Sequence, residues 1–267
     1  IRVTVDNLEI LRTWAAMFRG REILLRLDTG HGLGHHEKVR TAGLHSKFGV
    51  PPEEFGDLTQ AAAAAGAKVV GLHAHAGSGH FQIAGWIDAA RVLATQSKGF
   101  PDARILNLGG GLGVPDRPDQ PPFDLAAFDV ALAGFRTQHP HCELWIEPGR
   151  YVVAEAGVLL ARVTQTKGKG TKRYVGVATG MNSLIRPALY GAWHEIVNLT
   201  RLEERADHTY TVVGPICESG DELGADRLLP ACEEDDVLLI ANAGAYGHVM
   251  SSSYNLRPPA AELVLPA

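Results

Sequence analysis

Apolar residues in the first half of the chain follow two spacings in turn. Short runs rich in Val, Ile and Leu, which favour strands, alternate with segments whose apolar residues recur three and four positions apart, as on a helix face. The predicted strands are residues 2–5, 22–28, 68–76, 103–111 and 143–148. The predicted helices are residues 6–18 (with Asp6 as N-cap), 51–66, 83–97 and 125–138.

This order of strand, helix, strand and helix is typical of a parallel sheet. Three of the strands end in His-Ala-His, Gly-Gly-Gly and Glu-Pro-Gly-Arg. Functional groups at successive strand ends favour a (β/α)8 TIM-like barrel over a doubly wound sheet, which gathers them in one crevice. A closed barrel needs eight strands. Five are predicted here, so we expect further strands before Ile1, where the sequence starts without a Met.

Beyond Arg150 the pattern changes to strand-like segments with little helix between them. These segments are residues 151–167, 172–179, 194–200, 209–215 and 236–243. We therefore predict an α/β plus β fold, with a partial barrel over residues 1–150 and a C-terminal β-domain over residues 151–267. A return of the chain to the barrel near residues 243–252 is compatible with this division.

Composition and charge narrow the class of protein. With 45% hydrophobic and 21% charged residues, the chain has the composition of a soluble globular protein. A net charge of −5 argues against a nucleic-acid partner. The sequence has no signal peptide and no apolar run long enough to span a membrane. Three cysteines fit a reducing compartment, so we expect a cytoplasmic protein, and we interpret the acidic run 232–236 as a solvated turn.

The stretch GLHAHAGSGH, residues 71–80, contains the first candidate site. His73 and His75 share one face if they lie on a strand, but a zinc site needs further ligands. The small residues that follow, with the Ser78 hydroxyl, suit a phosphate. For His75 we favour contact with a cofactor over a place in the core. For His73 these two interpretations are equally supported. Three histidines in residues 31–36 are weakly supported as a metal site, because no Cys or carboxylate pair accompanies them.

Two further strand ends carry candidate chemistry. The run Gly109–Gly111 suits a phosphate cradle or, equally, a tight turn. Glu147 could hold a proton on a ring nitrogen, and Arg150 could bind phosphate or carboxylate. A structural ion pair is the alternative for these two side chains.

The second half of the chain adds a candidate clamp and a candidate thiol. Arg186 and Tyr190 are four apart, as on one side of a helical turn, where they could grip a carboxylate or lie on the surface. Cys217 precedes Glu218 and lies near Asp221 in a loop rich in Gly and Ser. We expect an exposed, polar setting there, which suits a thiol that transfers a proton.

Taken together, these motifs resemble the diaminopimelate decarboxylases, which belong to the alanine-racemase-like (fold type III) class of pyridoxal 5′-phosphate enzymes. The resemblance covers the whole sequence. Its motifs, in chain order, are SKFGV, HAHAGSG, GGGLGVP, EPGR, RPALYG, GPICESGD, GAYG and SSSYNLRP. The histidine-rich loop is most similar to the bacterial branch, in which one arrangement fuses the decarboxylase to an aspartate kinase.

The resemblance implies pyridoxal 5′-phosphate as cofactor and assigns residues to it. His75 would stack on the pyridine ring and Glu147 would pair with the ring nitrogen. The phosphate would be held by Ser78, Gly109, Gly110, Gly111 and the backbone of Pro148, Gly149 and Arg150. Tyr246 would contact both phosphate and substrate.

The resemblance also implies a homodimer with active sites at the subunit interface, which decarboxylates meso-2,6-diaminopimelate to L-lysine and CO2 in lysine biosynthesis. Cys217 of the partner chain would protonate the carbanion. The substrate's far carboxylate would be gripped by Arg150, Arg186 and Tyr190, and its far ammonium by Glu218. A substrate with two amino-acid ends needs charged side chains of this kind to bind its second carboxylate and ammonium.

The sequence departs from the family pattern at one position, the Schiff-base lysine. The family's Schiff-base lysine lies at the end of an early barrel strand, and no lysine of this sequence occupies a matching strand end. We expect the chain to be part of a longer protein. The alternatives are a decarboxylase for arginine or carboxynorspermidine, a catalytically inactive binding protein of this fold, and a histidine metalloprotein.

Overall fold

A computed structural model describes residues 1–30, 41–43 and 46–266. The chain forms two compact units. Unit 1 consists of residues 1–113 and 122–149, and unit 2 consists of residues 114–121 together with the chain from Arg150 onward. The predicted domain limits at residue 150, and the predicted return near residues 243–252, stay predictions.

Unit 1 is a parallel sheet with helical connections. Its strands, in both chain order and sheet order, are β1 (Val3–Val5), β2 (Glu22–Arg26), β3 (Lys68–His73), β4 (Ile105–Asn107) and β5 (Glu143–Trp145). Its helices are α1 (Leu8–Thr13), α2 (Ala15–Phe18), α3 (Phe55–Ala64), α4 (Ile83–Ser97) and α5 (Leu125–Gln138). A sheet in which each strand lies beside the next one along the chain is the wall of a barrel.

Side-chain caps mark the start of two helices of unit 1, α1 and α5. The Asp124 side chain accepts a hydrogen bond from the Ala127 amide at 2.8 Å, so α5 begins where predicted. The prediction for the first helix was wrong at its cap and in its length. Asn7, not Asp6, caps α1, and the backbone of Trp14 leaves the helical region and separates α1 from α2.

Unit 2 is built on a six-stranded sheet with the strand order β10-β9-β7-β6-β11-β8. All of its pairs are antiparallel except β7 with β9. Its elements are α6 (Arg150–Val153), β6 (Leu159–Lys169), β7 (Lys172–Val177), α7 (Arg186–Tyr190), β8 (Ile196–Asn198), β9 (His208–Val213), β10 (Glu222–Leu229) and β11 (Val237–Ile240). Together with the parallel sheet of unit 1, this sheet confirms the predicted α/β plus β fold class.

We predicted that the acidic run 232–236 is a solvated turn, and this prediction is wrong for Asp236. Asp236 is buried, and its carboxylate accepts hydrogen bonds from Asn198 Nδ2 at 2.9 Å and Arg201 Nε at 2.8 Å. Burial raises the pKa of Asp236, but hydrogen bonds from the Glu233 amide and from these two side chains favour the charged form and hold the pKa below its usual value. Asp236 thus ties a surface turn to the sheet, directly before β11.

No helix in the described part of the chain is both long and apolar enough to cross a bilayer.

Candidate active site

The functional residues of unit 1 lie at the carboxyl ends of three neighbouring strands. His73, Asn107 and Trp145 end β3, β4 and β5 and are in register with one another across the sheet. The residues directly after them therefore share one edge of the sheet. This is the edge where barrels carry their chemistry.

Glu147 is held at this edge by two side chains. Its Oε1 accepts a hydrogen bond from Asn107 Nδ2 at 2.8 Å, and its Oε2 lies 3.6 Å from His73 Nε2. The Glu147 side chain keeps 54% of its surface exposed. The carboxylate is thus oriented and still open to a hydrogen-bond donor from outside. Sequence reasoning missed Asn107, although an amide at the buried end of a strand was the available signal.

His75 lies two residues beyond the end of β3, against the glycine run. Its Nδ1 accepts a hydrogen bond from the Gly110 amide at 3.0 Å. Burial, and then the charges of Arg26 and His73, lower the pKa of His75 to about 4. The ring is therefore neutral at pH 7, with its proton on Nε2 because Nδ1 accepts.

The two glycine-rich loops of unit 1 bind each other. The amides of Gly79 and His80 donate to the Gly111 carbonyl at 3.0 and 3.1 Å. Gly111 has a φ of +104°, and a Cβ at Gly110 would collide with the Glu147 carbonyl oxygen. The glycines are therefore required for this close approach. Ser78, predicted to bind phosphate, is half-buried within the same loop pair.

The remaining cofactor residues proposed in unit 1 are Pro148 and Gly149, which follow Glu147 and end the unit. A Cβ at Gly149 would meet open space, so no crowding explains this glycine. Arg150 is the first residue of α6 and belongs to unit 2.

Two arginines and two tyrosines gather in unit 2. The Arg150 guanidinium carbon lies 4.7 Å from the centre of the Tyr246 ring. Burial, and then the nearby charge of Arg150, lower the pKa of Arg186 to about 10, while Tyr190 and Tyr246 oppose this effect. Arg186 is still cationic at neutral pH. Arg186 and Tyr190 are the first and last residues of α7, as the spacing predicted.

Cys217 and Glu218 are exposed in unit 2, and two neighbouring residues contact them. Asn255 Nδ2 donates to Cys217 Sγ at 3.1 Å, and the Tyr254 hydroxyl donates to the Glu218 carboxylate. Sequence reasoning gave Tyr254 and Asn255 no role at the site, because nothing in their spacing links them to residues 217–218.

Asp221, expected in an exposed setting, is 2% exposed. Its carboxylate accepts hydrogen bonds from the backbone amides of Met181 at 2.6 Å and Ile216 at 2.7 Å. A Cβ at Gly180 or Gly214 would collide with this carboxylate. Asp221 thus joins the loop before Arg186 to the loop that carries Cys217.

No group of three His, Cys, Asp or Glu side chains within the described ranges is arranged to hold a metal ion. The candidate cluster of His31, His35 and His36 lies outside the described residues.

Two buried histidines predict a loss of stability in mild acid. Burial lowers the pKa of both His80 and His194 to about 4, from a usual value of 6.5. The folded state therefore binds fewer protons than the unfolded state, so stability falls as the pH drops below 6.5 and continues to fall to about 4. We expect each ring to cost about 2 kcal/mol at pH 5 relative to pH 8.

Urea unfolding between pH 8 and pH 5 measures this loss. His194→Gln should make the dependence on pH shallower, and replacing the exposed His141 by Gln should not. A flat profile for the unsubstituted protein between pH 6.5 and pH 5 would contradict the expectation.

Comparison with known proteins finds two domain families that match the chain. Residues 1–154 match the profile of the pyridoxal-binding domain of pyridoxal-dependent decarboxylases, and residues 88–244 match that of their C-terminal sheet domain. The diaminopimelate decarboxylase of Methanothermobacter thermautotrophicus is 37% identical over 99% of this chain and 64% of its own length. That of Pseudomonas aeruginosa is 40% identical over 91% of this chain and 59% of its own length.

Solved structures give the same result. A Helicobacter pylori diaminopimelate decarboxylase complexed with L-lysine aligns with a TM-score of 0.85 and 31% identity over 96% of this chain and 66% of its own. A Paramecium bursaria Chlorella virus arginine decarboxylase aligns with a TM-score of 0.82 over 95% of this chain and 68% of its own, but at 18% identity it shows the fold alone.

The chain spans 64% of the length of the Methanothermobacter relative. The two domain profiles confirm the expected family and its cofactor, pyridoxal phosphate. The strand-end carboxylate, the paired glycine loops and the sheet of unit 2 lie within residues that these profiles cover. On this evidence the chain belongs to the family of pyridoxal-dependent decarboxylases.

Proposed function

We propose that this chain is part of an enzyme that decarboxylates meso-2,6-diaminopimelate to L-lysine and CO2, the last step of lysine biosynthesis. The observation that carries the proposal is the cluster of Arg150 and Arg186 with two phenols in unit 2. A substrate that keeps a carboxylate after losing CO2 needs cationic side chains that bind this carboxylate. The relatives named above carry the same activity in their names.

The residues of unit 1 fit the cofactor. Glu147 would pair with the pyridine nitrogen, because its carboxylate is oriented by Asn107 and is half exposed. His75 would offer the face of a neutral ring. Ser78 and the run Gly109–Gly111 would hold the phosphate. The amides of Gly109 and Gly110 already donate to Asn107 and His75, so these two glycines would serve through the close backbone approach that a side chain would block. When bound, the cofactor supplies an electron sink for the charge left by CO2.

The residues of unit 2 suit the rest of the substrate. Arg150 and Arg186 would bind the far carboxylate, with the Tyr190 hydroxyl beside them. Glu218 would bind the far ammonium, and Tyr246 would contact both phosphate and substrate. The Cys217 thiol would deliver the proton that replaces CO2 on carbon, and solvent would then reprotonate the thiolate. Its exposed position suits delivery to the site of a partner chain, so we include a homodimer in the proposal.

The test is product formation by the full-length protein loaded with pyridoxal phosphate. We expect lysine and CO2 from meso-2,6-diaminopimelate, at a kcat/KM well above those for arginine and carboxynorspermidine. Cys217→Ser should abolish most of the activity, and Cys142→Ser, at a buried cysteine, should not. Faster turnover of arginine or carboxynorspermidine would overturn the substrate, and a loaded protein without any decarboxylation would overturn the enzyme.

A further inference from the structure

We infer that His194 is a positioning residue, which fixes the Arg186 guanidinium for the far carboxylate of the substrate. The inference rests on the function proposed above. His194 is 0% exposed and lies between α7 and β8. Its Nε2 is 2.9 Å from Arg186 Nη1, and its Nδ1 is 2.7 Å from the Ala241 carbonyl oxygen.

These two partners determine the proton on the ring. A carbonyl oxygen only accepts and a guanidinium only donates. Nδ1 must therefore carry the proton, and the lone pair of Nε2 accepts from Arg186. Burial lowers the pKa of His194 to about 4, and the charges of Arg186 and Arg227 act in the same direction, so the ring is neutral at physiological pH.

A neutral acceptor has a specific advantage here. It orients the guanidinium but leaves the positive charge unpaired, whereas an Asp or Glu in its place would neutralise that charge and compete with the substrate. Within the described ranges, no carboxylate forms an ion pair with Arg186, and its buried Nε has no hydrogen-bond partner. Asp116 acts on Arg186 only at longer range, since it raises the pKa without an ion pair.

The ring also connects α7 to the end of β11. Ala241 directly follows β11, and its amide donates to the Glu195 carbonyl at 2.9 Å. The hydrogen-bonded chain from the Ala241 carbonyl through His194 to Arg186 therefore sets the guanidinium from the sheet itself. Replacing the ring by an apolar side chain removes the link, while Gln keeps one donor and one acceptor.

Competitive inhibition of the full-length holoenzyme separates this role from a general structural one. L-lysine keeps the far carboxylate that Arg186 would bind, and cadaverine has no carboxylate. We expect His194→Leu to weaken inhibition by L-lysine about 10- to 100-fold and to change inhibition by cadaverine about 2-fold at most. His194→Gln should recover most of the loss.

The matched control is His208, which lies in the same unit and contacts a different arginine, with its Nδ1 2.6 Å from Arg173 Nη1. His208→Leu should leave both inhibition constants unchanged. Because an inhibition constant does not depend on the fraction of folded enzyme, partial unfolding cannot imitate the expected result.

Adding His194→Leu to Arg186→Leu should weaken inhibition by L-lysine no further than Arg186→Leu alone, since the two residues act through one interaction. Equal weakening of both inhibitors by His194→Leu, or no weakening, would overturn the inference while leaving the proposed function intact. A wild-type enzyme that does not turn over meso-2,6-diaminopimelate would overturn the proposed function instead.

Discussion

Replacing Glu147 by Gln should reduce kcat for decarboxylation by about 100- to 1000-fold, the range seen when one group that stabilises developing charge is removed. Gln keeps the size of the side chain and can still accept from Asn107 Nδ2, which lies 2.8 Å from Oε1. It has no negative charge, so it cannot hold a proton on the pyridine nitrogen. The loss should appear in kcat more than in KM, because the charge matters most in the transition state.

Steady-state kinetics of the loaded full-length enzyme check this expectation. Glu143→Gln is the matched control, since Glu143 is the first residue of β5, the strand that leads to Glu147, and its side chain is 59% exposed near Arg104. It should retain nearly full activity. A Glu147→Gln enzyme within about 5-fold of wild type would remove Glu147 from the proposed role, because that small a change is below the effect of a lost charge.

Asp221→Asn should lower the free energy of unfolding by about 3 kcal/mol. The buried carboxylate accepts from two backbone amides, of Met181 and Ile216. Asn has the same shape but can accept with one oxygen only. Its side-chain NH2 would face one of the two backbone N–H groups, which would then lose its acceptor. The loops before Arg186 and before Cys217 both depend on this carboxylate, so we expect activity to fall as well.

Urea unfolding of unsubstituted and variant protein measures the change. Asp226→Asn is the control in the same unit, because Asp226 is exposed and pairs with Lys172 on the surface, where ion pairs contribute about 0–1 kcal/mol. If Asp221→Asn were as stable as Asp226→Asn, the anchoring role of Asp221 would be wrong.

The sequence predicted those elements whose signals are local. Helices α4 and α5 lie where the apolar spacing predicts them. Strand β10 was missed because bulges between Glu222 and Gly224, and again before Arg227, shift the phase of its buried positions. The alternation that marks a half-buried strand is lost at such shifts.

At the candidate site, too, the sequence predicted some contacts and missed others. Strand-end motifs predicted that His75, Glu147 and the glycines would meet, because the carboxyl ends of parallel strands share one edge. Asp221 was misjudged because its partners, Met181 and Ile216, are backbone amides that no side-chain pattern reveals. Contacts between distant side chains, such as His194 with Arg186, likewise leave no trace in spacing.

The single parallel pair in the sheet of unit 2 bears on how specificity could change during evolution. Parallel neighbours cannot be joined by a tight turn, so the polypeptide must make an excursion over residues 178–207 between β7 and β9. Arg186 and Tyr190 lie on that excursion. Both residues precede β8, which pairs with β11 and belongs to the sheet. Substitutions between β7 and β8 can therefore alter the proposed recognition of the substrate's end group while the pairing of β6, β7 and β9 is kept.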